Sequence, residues 1–428
     1  MSESAGQGGR DGRRARGLRR ELVAALRVGG EIRTEAVGEA FGAVPRHLFV
    51  PEVSVALAYA DTVVPTKFDA AGGAISALSQ PAIVAVMLEQ LDVRPGMRVL
   101  EIGAGTGYNA ALLEELVGGR SGEGVGGEAG GGGRVVTVDV DEDIVVAARG
   151  HLAAAGGGAR VRVVLGDGAL GYAEGAPYDR IIATVGAADV PAEWLAQLAD
   201  GGRVVLPLRI KGGVTRSVVI EREEDGTWWR GTDLEVCSFM PLRGIADDLG
   251  RTVQLTADGL VEVAVYAEQR VGEGLGRALD TAGTERSTGV RFEAGESFSE
   301  LDLYLTCALR NGMSRISAAG AAVESGLVRP QFTWGGMCAV DGDSLAYVTL
   351  SQSSDDDILA GRYEVGVVGH GPEGAALADE VAARTREWDA ELRGLTAVLR
   401  IAQGEGRERL TGRCVVDKEV SRIAVDWG

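Results

Sequence analysis

Val99-Leu100-Glu101-Ile102-Gly103-Ala104-Gly105-Thr106-Gly107-Tyr108 is the stretch whose residue types and spacing point most directly to chemistry. An apolar, strand-forming run ends in an acid, turns on three alternating glycines and opens into a helix. Glycines at such a turn let the backbone pass close to a bound ligand, which lies beyond the carboxyl ends of the strands. Gly105, Gly107 and Ala110 alone satisfy G-x-G-x-x-A, a pattern shared with dinucleotide sites and weak by itself. Glu101 changes its meaning, because a carboxylate just before the turn repels a pyrophosphate and suits a cationic or amino-bearing cofactor. Two more acids end the next two strands: Asp139 after Val135-Val136-Thr137-Val138, and Asp167 within Leu165-Gly166-Asp167-Gly168. The first can accept both hydroxyls of a ribose, and the second an adenine amino group. Three strand-end acids around one glycine turn match an S-adenosylmethionine site more closely than a nicotinamide site. Capping of the following helices is the plainer account of the same acids.

The elements that must hold these residues alternate along the chain. Ile83 to Leu91 reads as a helix, Met97 to Ile102 as a strand, Tyr108 to Val117 as a helix and Val135 to Val138 as a strand. Ile144 to Leu152 (helix), Val161 to Leu165 and Tyr178 to Ala183 (strands), Ala192 to Leu198 (helix) and Arg203 to Leu208 (strand) continue it. Such alternation predicts an α/β fold with a largely parallel sheet and helices on both faces. Gly118 to Gly133 is glycine-dense and without periodicity, so a flexible surface insertion is expected there. Residues 1–20 carry Arg10, Arg13, Arg14, Arg16, Arg19 and Arg20 among small residues and read as a disordered arm. A boundary is expected between Pro241 and Thr252, separating a domain at 21–245 from a second α/β or α+β domain at 250–428. In the latter, Leu301 to Leu305 suits a buried strand or helix and Tyr363 to Val368 a strand. Leu377, Val381, Trp388, Leu392, Leu395 and Leu399 fit one face of a long helix.

Composition narrows the class. The 428 residues suit two domains, and 45% apolar content is enough for each to bury a core. The formal charge of -19 comes from 62 acidic against 43 basic residues, and most of it falls on the shorter stretch after Ile245. Neither nucleic acid nor an anionic membrane is expected as a partner of so acidic a chain. The sequence contains neither a spanning helix nor a secretory signal. Cys237, Cys307, Cys338 and Cys414 show no paired spacing, which predicts neither zinc nor a disulfide framework but separate buried thiols in a reducing cytoplasm. No metal is expected. Of the three histidines, His47 reads as a structural imidazole and His370 as part of a loop.

Several further segments resemble the protein-L-isoaspartate (D-aspartate) O-methyltransferases over about Glu21 to Gly244. They are Val44-Pro45-Arg46-His47-Leu48-Phe49-Val50-Pro51, Ala58-Tyr59-Ala60-Asp61, Ser79-Gln80-Pro81-Ala82-Ile83-Val84-Ala85, Gly166-Asp167-Gly168, Ala176-Pro177-Tyr178-Asp179-Arg180-Ile181-Ile182, Gly201-Gly202-Arg203-Val204-Val205-Leu206-Pro207 and Phe239-Met240-Pro241-Leu242. Their order and spacing agree with the family. The resemblance implies a class I, Rossmann-like methyltransferase fold using S-adenosylmethionine. It carries the cofactor role onto Glu101, Gly103, Gly105, Asp139 and Asp167, with Ala104, Thr106, Gly107, Val140, Gly166, Gly168 and Thr184 beside them. The family's Thr-Ile-Ser before Gln-Pro is altered here to Ala74-Ile75-Ser76-Ala77-Leu78-Ser79-Gln80-Pro81. The active-site serine is therefore either Ser79 or Ser76, and the loop from Pro65 to Gly73 is longer than usual. Family members that repair proteins end near Gly244. The acidic remainder, with Phe298-Ser299-Glu300-Leu301-Asp302-Leu303-Tyr304, resembles the C-terminal region of methyltransferases placed beside lanthipeptide, graspetide and imiditide pathways.

Two activities compete on this reading. The first is methylation of an aspartate in a ribosomally made, basic precursor peptide held by the acidic domain, the ester then closing to an aspartimide. The second is methylation of isoaspartyl residues in damaged proteins. A non-catalytic cofactor- or peptide-binding module and a nicotinamide oxidoreductase are the alternatives from other classes.

Overall fold

Ala15, Leu18, Leu22 and Leu26 recur at helical spacing, and they set one face of a helix, α1 (Ser2–Gly29). Ala15, Leu22 and Leu26 are buried in the core, and Arg19 Nη1 donates to Ala43 O at 2.9 Å. The arginine-rich arm is thus helical rather than disordered: its arginines at 13, 14, 16 and 20 stay exposed while the apolar stripe is held against the fold. This computed structural model describes residues 2–70, 72–119, 133–244, 250–352 and 355–428, and side chains over the same ranges except 2–11 and 355–356. The glycine-dense insertion lies, from 120 to 132, outside the described residues. The chain divides into two compact units, Met1–Leu208 with Ser217–Asp247, and Arg209–Arg216 with Asp248–Gly428.

In the first unit α2 (Glu35–Ala43), a 3-10 turn (Arg46–Phe49) and α3 (Val55–Ala58) precede an antiparallel hairpin of β1 (Val64–Phe68) and β2 (Ala74–Leu78). Then come α4 (Pro81–Leu91), β3 (Arg98–Ile102), α5 (Tyr108–Gly118), β4 (Arg134–Asp139), α6 (Glu142–Ala154) and β5 (Val161–Leu165). β6 (Tyr178–Ala183), α7 (Ala192–Ala196), β7 (Leu198–Lys211), β8 (Val214–Arg222) and β9 (Trp229–Val236) complete it, apart from residues 209–216 at the β7–β8 turn, which belong to the second unit. The strand order is β9-β8-β7-β6-β3-β4-β5, and β7, β6, β3, β4 and β5 pair in parallel. Val99, Leu100, Ile102, Ile181 and Val205 are sealed from solvent, as expected of strands covered on both faces. The chain order reverses at β3, with β4 and β5 on one side and β6 and β7 on the other. That switch opens a crevice at the carboxyl end of β3. By the right-handed crossover rule α5 and α6 lie on one face and α7 on the other.

The second unit is α+β, built on an antiparallel sheet. Its elements are β10 (Arg251–Gln254), β11 (Val261–Val265), β12 (Thr284–Glu293), α8 (Ser299–Ala308), β13 (Met313–Ala318), α9 (Gly320–Glu324), β14 (Gly335–Asp341), β15 (Ser344–Ser351), α10 (Asp355–Ala360), β16 (Arg362–His370) and α11 (Gly374–Glu391). The order β10-β11-β13-β14-β15-β16-β12 pairs antiparallel throughout. α11 buries Ala378, Val381, Ala382 and Trp388, and the predicted long helix stops there. Gly394 takes a φ of +88°, a turn conformation that favours glycine. Leu395 and Leu399 therefore leave the helix face, and Leu399 belongs to β17 (Ala397–Gln403). β17 pairs with β19 (Ser421–Trp427), which also pairs with β18 (Cys414–Asp417).

Candidate active site

The crevice beyond β3 is lined by the glycine turn. Gly103, Gly105 and Gly107 have φ of +96°, +50° and +86°, a region that L side chains rarely adopt. A Cβ on Gly103 would press on Val185 and Thr184, and one on Gly107 on the Ala148 backbone. A Cβ on Gly105 would meet only Ala77 O, at an ordinary van der Waals distance of 3.8 Å. The turn is pinned from behind: the backbone N–H groups of Gly103 and Ala104 donate to Val138 O, and Thr184 Oγ1 donates to Gly103 O at 2.7 Å. Thr106 is buried, and its carbonyl lies 3.0 Å from His151 Nδ1, which fixes the third histidine as a structural group.

Glu101 is sealed from solvent at the end of β3. Its Oε1 accepts from Asn109 Nδ2 at 2.8 Å, while Oε2 and the neighbouring Thr137 hydroxyl on β4 lack partners. Burial pushes its carboxyl up to about 7. A buried carboxylate oxygen left unpaired is costly unless something supplies a donor. That orphan atom, beside a turn open at Gly105, fits a ligand carrying an amino or cationic group.

Asp139 ends β4 and is buried. It accepts from Gly105 N at 3.1 Å and Asp141 N at 3.2 Å, and burial pushes its carboxyl upward. Val140, beside it, is partly exposed. Asp167 follows β5 and accepts from Ala169 N at 2.9 Å, so it does cap a short 3-10 turn. Gly166 N donates to Asp139 O, and a Cβ on Gly168 would strike Ile102, so both glycines permit close packing beside the crevice.

Two segments are fastened beside these acids. Lys67 on β1 pairs with Asp141 at 2.9 Å and Asp143 at 2.7 Å, and Arg243 reaches Asp141 at 2.8 Å. Burial alone would raise the Asp141 carboxyl, but these two cations hold it below the ordinary range. Gly244 leaves no room for a side chain against Asp167. The β1–β2 hairpin and the 239–244 segment are thus both tied to the corner after β4.

The two candidate serines part company. Ser76, on β2, is buried, and Thr66 Oγ1 lies 3.3 Å from its hydroxyl. Ser79 is half-buried on the link between β2 and α4, and its carbonyl accepts from Arg46 Nη2 at 2.6 Å. Asp61 fixes the other side of that link, accepting from Gln80 Nε2 and Ala82 N, each at 2.9 Å. Spacing in the sequence did not single out Lys67, Asn109, Thr137, Asp141 or Arg243. Arg46 and Asp61 sit inside quoted motifs but were given no role. His47 Nδ1 lies 3.0 Å from the Tyr59 hydroxyl, and burial lowers its pKa, both in keeping with a structural imidazole. His370 is a buried strand residue rather than a loop one, stacked on Tyr347. No cluster of three or more metal-ligating side chains occurs, and no helix is long and apolar enough to cross a membrane, among the described residues.

Residues 17–246 match the family model described as protein-L-isoaspartate(D-aspartate) O-methyltransferase. The protein-L-isoaspartate O-methyltransferase of Methanopyrus kandleri is 41% identical over 229 residues, which is 54% of this chain and 92% of that protein. The one from Methylorubrum populi is 39% identical over 236 residues, 55% of this chain and 97% of that protein. A solved protein-L-isoaspartate O-methyltransferase aligns with a TM-score of 0.46 at 21% identity, covering 89% of this chain and 96% of that one. The family match takes in every residue of the crevice and of the serine link, and the chain belongs to the protein-L-isoaspartate(D-aspartate) O-methyltransferase family of enzymes.

Proposed function

We propose that this chain methylates the free carboxylate of isoaspartyl (or D-aspartyl) residues in proteins and peptides, with S-adenosylmethionine as donor. The observation that carries the reading is the buried Glu101 with an unpartnered oxygen under the glycine turn, within a stretch that matches the family. Glu101 would receive the donor's amino group, Asp139 its ribose hydroxyls and Asp167 its adenine amine, with Gly103 to Gly107 allowing close approach. When bound, the donor supplies an electrophilic methyl on a sulfonium. The acceptor carboxylate, with a reference pKa of ~3.9, is already ionised at neutral pH, so the protein needs no general base. What the chain must do is hold one carboxylate oxygen in line and keep water out, and such positioning can remove roughly 7–11 kcal/mol of barrier in favourable cases. The Ser79 hydroxyl would donate to the non-attacking oxygen. Ala77 O, on β2 between the two candidate serines, stands 3.8 Å from where a Cβ on Gly105 would lie, so the strand that leads into the serine link runs beside the donor turn.

The narrower reading, an ordinary aspartate in a ribosomal precursor peptide followed by aspartimide closure, draws on the second unit. The family match stops at 246, before residues 250–428, and the relatives are named for isoaspartate, so the repair-type reaction takes first place. An acidic unit that gathers basic peptides remains a proposal for 250–428. Incubation with donor and a pair of peptides, one isoaspartyl and one aspartyl, tests the order. The isoaspartyl peptide should gain one methyl and then lose methanol. Methylation of the aspartyl peptide alone would reverse the ranking.

A further inference from the structure

Arg46 is completely buried, yet its contacts are two carbonyls and a ring rather than a carboxylate. Nε donates to Ala58 O at 2.8 Å and Nη2 to Ser79 O at 2.6 Å. Its Cζ lies 4.8 Å from the centre of the Tyr108 ring. Tyr108 is the first residue of α5, directly after Gly107, and it is wedged edge-on between Phe41 and Phe49. One guanidinium therefore touches the helix that carries the donor turn, the carbonyl of the serine link, and the end of α3. Burying a cation without a paired anion is expensive, and burial lowers the pKa of this one. A methionine would fill the same space at less cost. What methionine lacks is a rigid planar fork, with donors at fixed angles and a face that stacks.

On the far side of the link, Gln80 occupies the N-cap position of α4 without capping it through its own side chain. Asp61 takes over that task from a distance by accepting the Ala82 N–H. The link is thus held at two consecutive residues, by Arg46 through Ser79 O and by Asp61 through Gln80 Nε2.

We propose that Arg46 is a positioning residue that sets the distance between the donor-holding glycine turn and the acceptor-holding serine link, with Asp61 as the opposing clamp. The proposal rests on the methyl-transfer reading and on Ser79 as the residue that meets the acceptor. An in-line displacement is steeply sensitive to that distance; a misplacement of about 1 Å can cost ~10²-fold in rate. Lysine keeps the charge at Arg46 but is a flexible point donor that cannot hold both carbonyls and the ring in one plane.

The experiment compares wild type, Arg46→Lys and Asp61→Asn with an isoaspartyl peptide at saturating donor. Donor-product affinity is read separately by calorimetry with S-adenosylhomocysteine, and folding by thermal midpoint. Arg46→Lys should lose ~10²-fold in kcat, with S-adenosylhomocysteine affinity and peptide KM within about threefold of wild type. Asp61→Asn, which keeps one acceptor oxygen and loses the other, should lose on the order of tenfold in kcat with the same unaltered affinities. If Arg46→Lys does not fold, the Asp61 variant decides, and unchanged kcat there overturns the proposal. A parallel fall of donor affinity, kcat and thermal midpoint would make Arg46 a packing residue and also overturn it. Restoration of kcat in Arg46→Ala by millimolar guanidinium would support it, since a group that only filled space would not be replaced by a free planar cation. Wild type without turnover would sink the methylation reading and this inference with it; an active wild type and an equally active Arg46→Lys would sink this inference alone.

Discussion

Glu101 in the first unit and Asp302 in the second are both carboxylates removed from water, and their surroundings are opposite. Asp302, on α8, is met by Arg216 Nη2 at 3.0 Å and by Arg315 at 2.6 and 3.1 Å. Although burial works to raise it, the two guanidinium groups hold its carboxyl below the ordinary range. Glu101 has one amide donor, an unpartnered oxygen and no cation, and it is pushed up to about 7. A polar group that the fold has already satisfied works for the fold. Glu101 differs in that its open oxygen lies at the end of β3, just before the glycine turn, where a ligand can supply the donor. The same contrast separates Ser76, whose hydroxyl is tucked against Thr66, from Ser79 on the half-buried link.

The largest effect should come from breaking the satisfied acid. Asp302→Asn leaves Arg216, itself 1% exposed, as a buried cation without an anion. Removal of one partner from such a group costs about 3–5 kcal/mol, read as a drop in urea-unfolding free energy. A change below about 1 kcal/mol would remove the distinction from Glu101. The acid limb carries the same sign. Because folding depresses the Asp302 pKa, its contribution is present above the unfolded value and lost as pH falls through the folded one.

Glu101→Gln should do the reverse, leaving stability intact or improved while donor binding fails. Folding raises this carboxyl from 4.5 to about 7, so the folded chain holds the proton more tightly than the unfolded one. Its contribution is fully present below pH 4.5 and is lost as pH climbs through about 7, a swing of about 3 kcal/mol. Unfolding free energies of wild type and Glu101→Gln, measured from pH 4.5 to 8, should diverge with rising pH, the variant becoming the more stable. Over the same range S-adenosylhomocysteine should bind wild type more tightly as Glu101 ionises. Parallel stability curves would mean that the buried acid is satisfied after all. Asn109, Thr137 and Asp139 are the groups that bear on Glu101 in this titration.

How much of this could be read from the sequence follows the same division. The glycine turn and strand-end acids are local: Glu101, Gly103, Gly105, Gly107, Asp139 and Asp167 owe their placement to strand ends, which periodicity locates within a residue or two. The groups that finish or open a site are not local. Lys67 on β1 meets Asp141 after β4, and Arg46 meets Ser79 across α3 and the β1–β2 hairpin, and no spacing rule reports either. Cys307 on α8 and Cys414 at the start of β18 are in hydrogen-bonding contact although their spacing is unremarkable. Leu22, Val23 and Leu26 show the second half of α1, but arginine density hides the first half, where the stripe is carried by Ala15 and Leu18; α11 reads as longer than it is because β17 continues its apolar pattern past Gly394.

The serines give a smaller test of the comparison, and it divides the two candidates. Ser79→Ala removes a hydroxyl that the fold leaves free to meet the acceptor. One hydrogen bond to a charged group is worth about 1.5–3 kcal/mol, so kcat should fall roughly ten- to a hundredfold. The donor affinity should hold, because the link carries none of the acids proposed to hold the donor.

Ser76→Ala is expected to have the least effect of all. Its hydroxyl oxygen accepts from Thr66 Oγ1 at 3.3 Å, within an antiparallel hairpin whose ladder pairs Lys67 with Ser76. Loss of that bond should cost stability on the order of 1 kcal/mol and leave kcat within about twofold. The measurement is a steady-state comparison of Ser76→Ala, Ser79→Ala and the double variant. If Ser79 alone meets the acceptor, the double variant should match Ser79→Ala, since removing a hydroxyl already committed to the hairpin adds nothing at the reacting carboxylate. A Ser76→Ala defect as deep as that of Ser79→Ala would show that the hairpin opens during turnover and frees its hydroxyl. A group satisfied in the resting fold could then still belong to the chemistry, and the rule drawn from Asp302 and Glu101 would have to be confined to parts of the molecule that do not move.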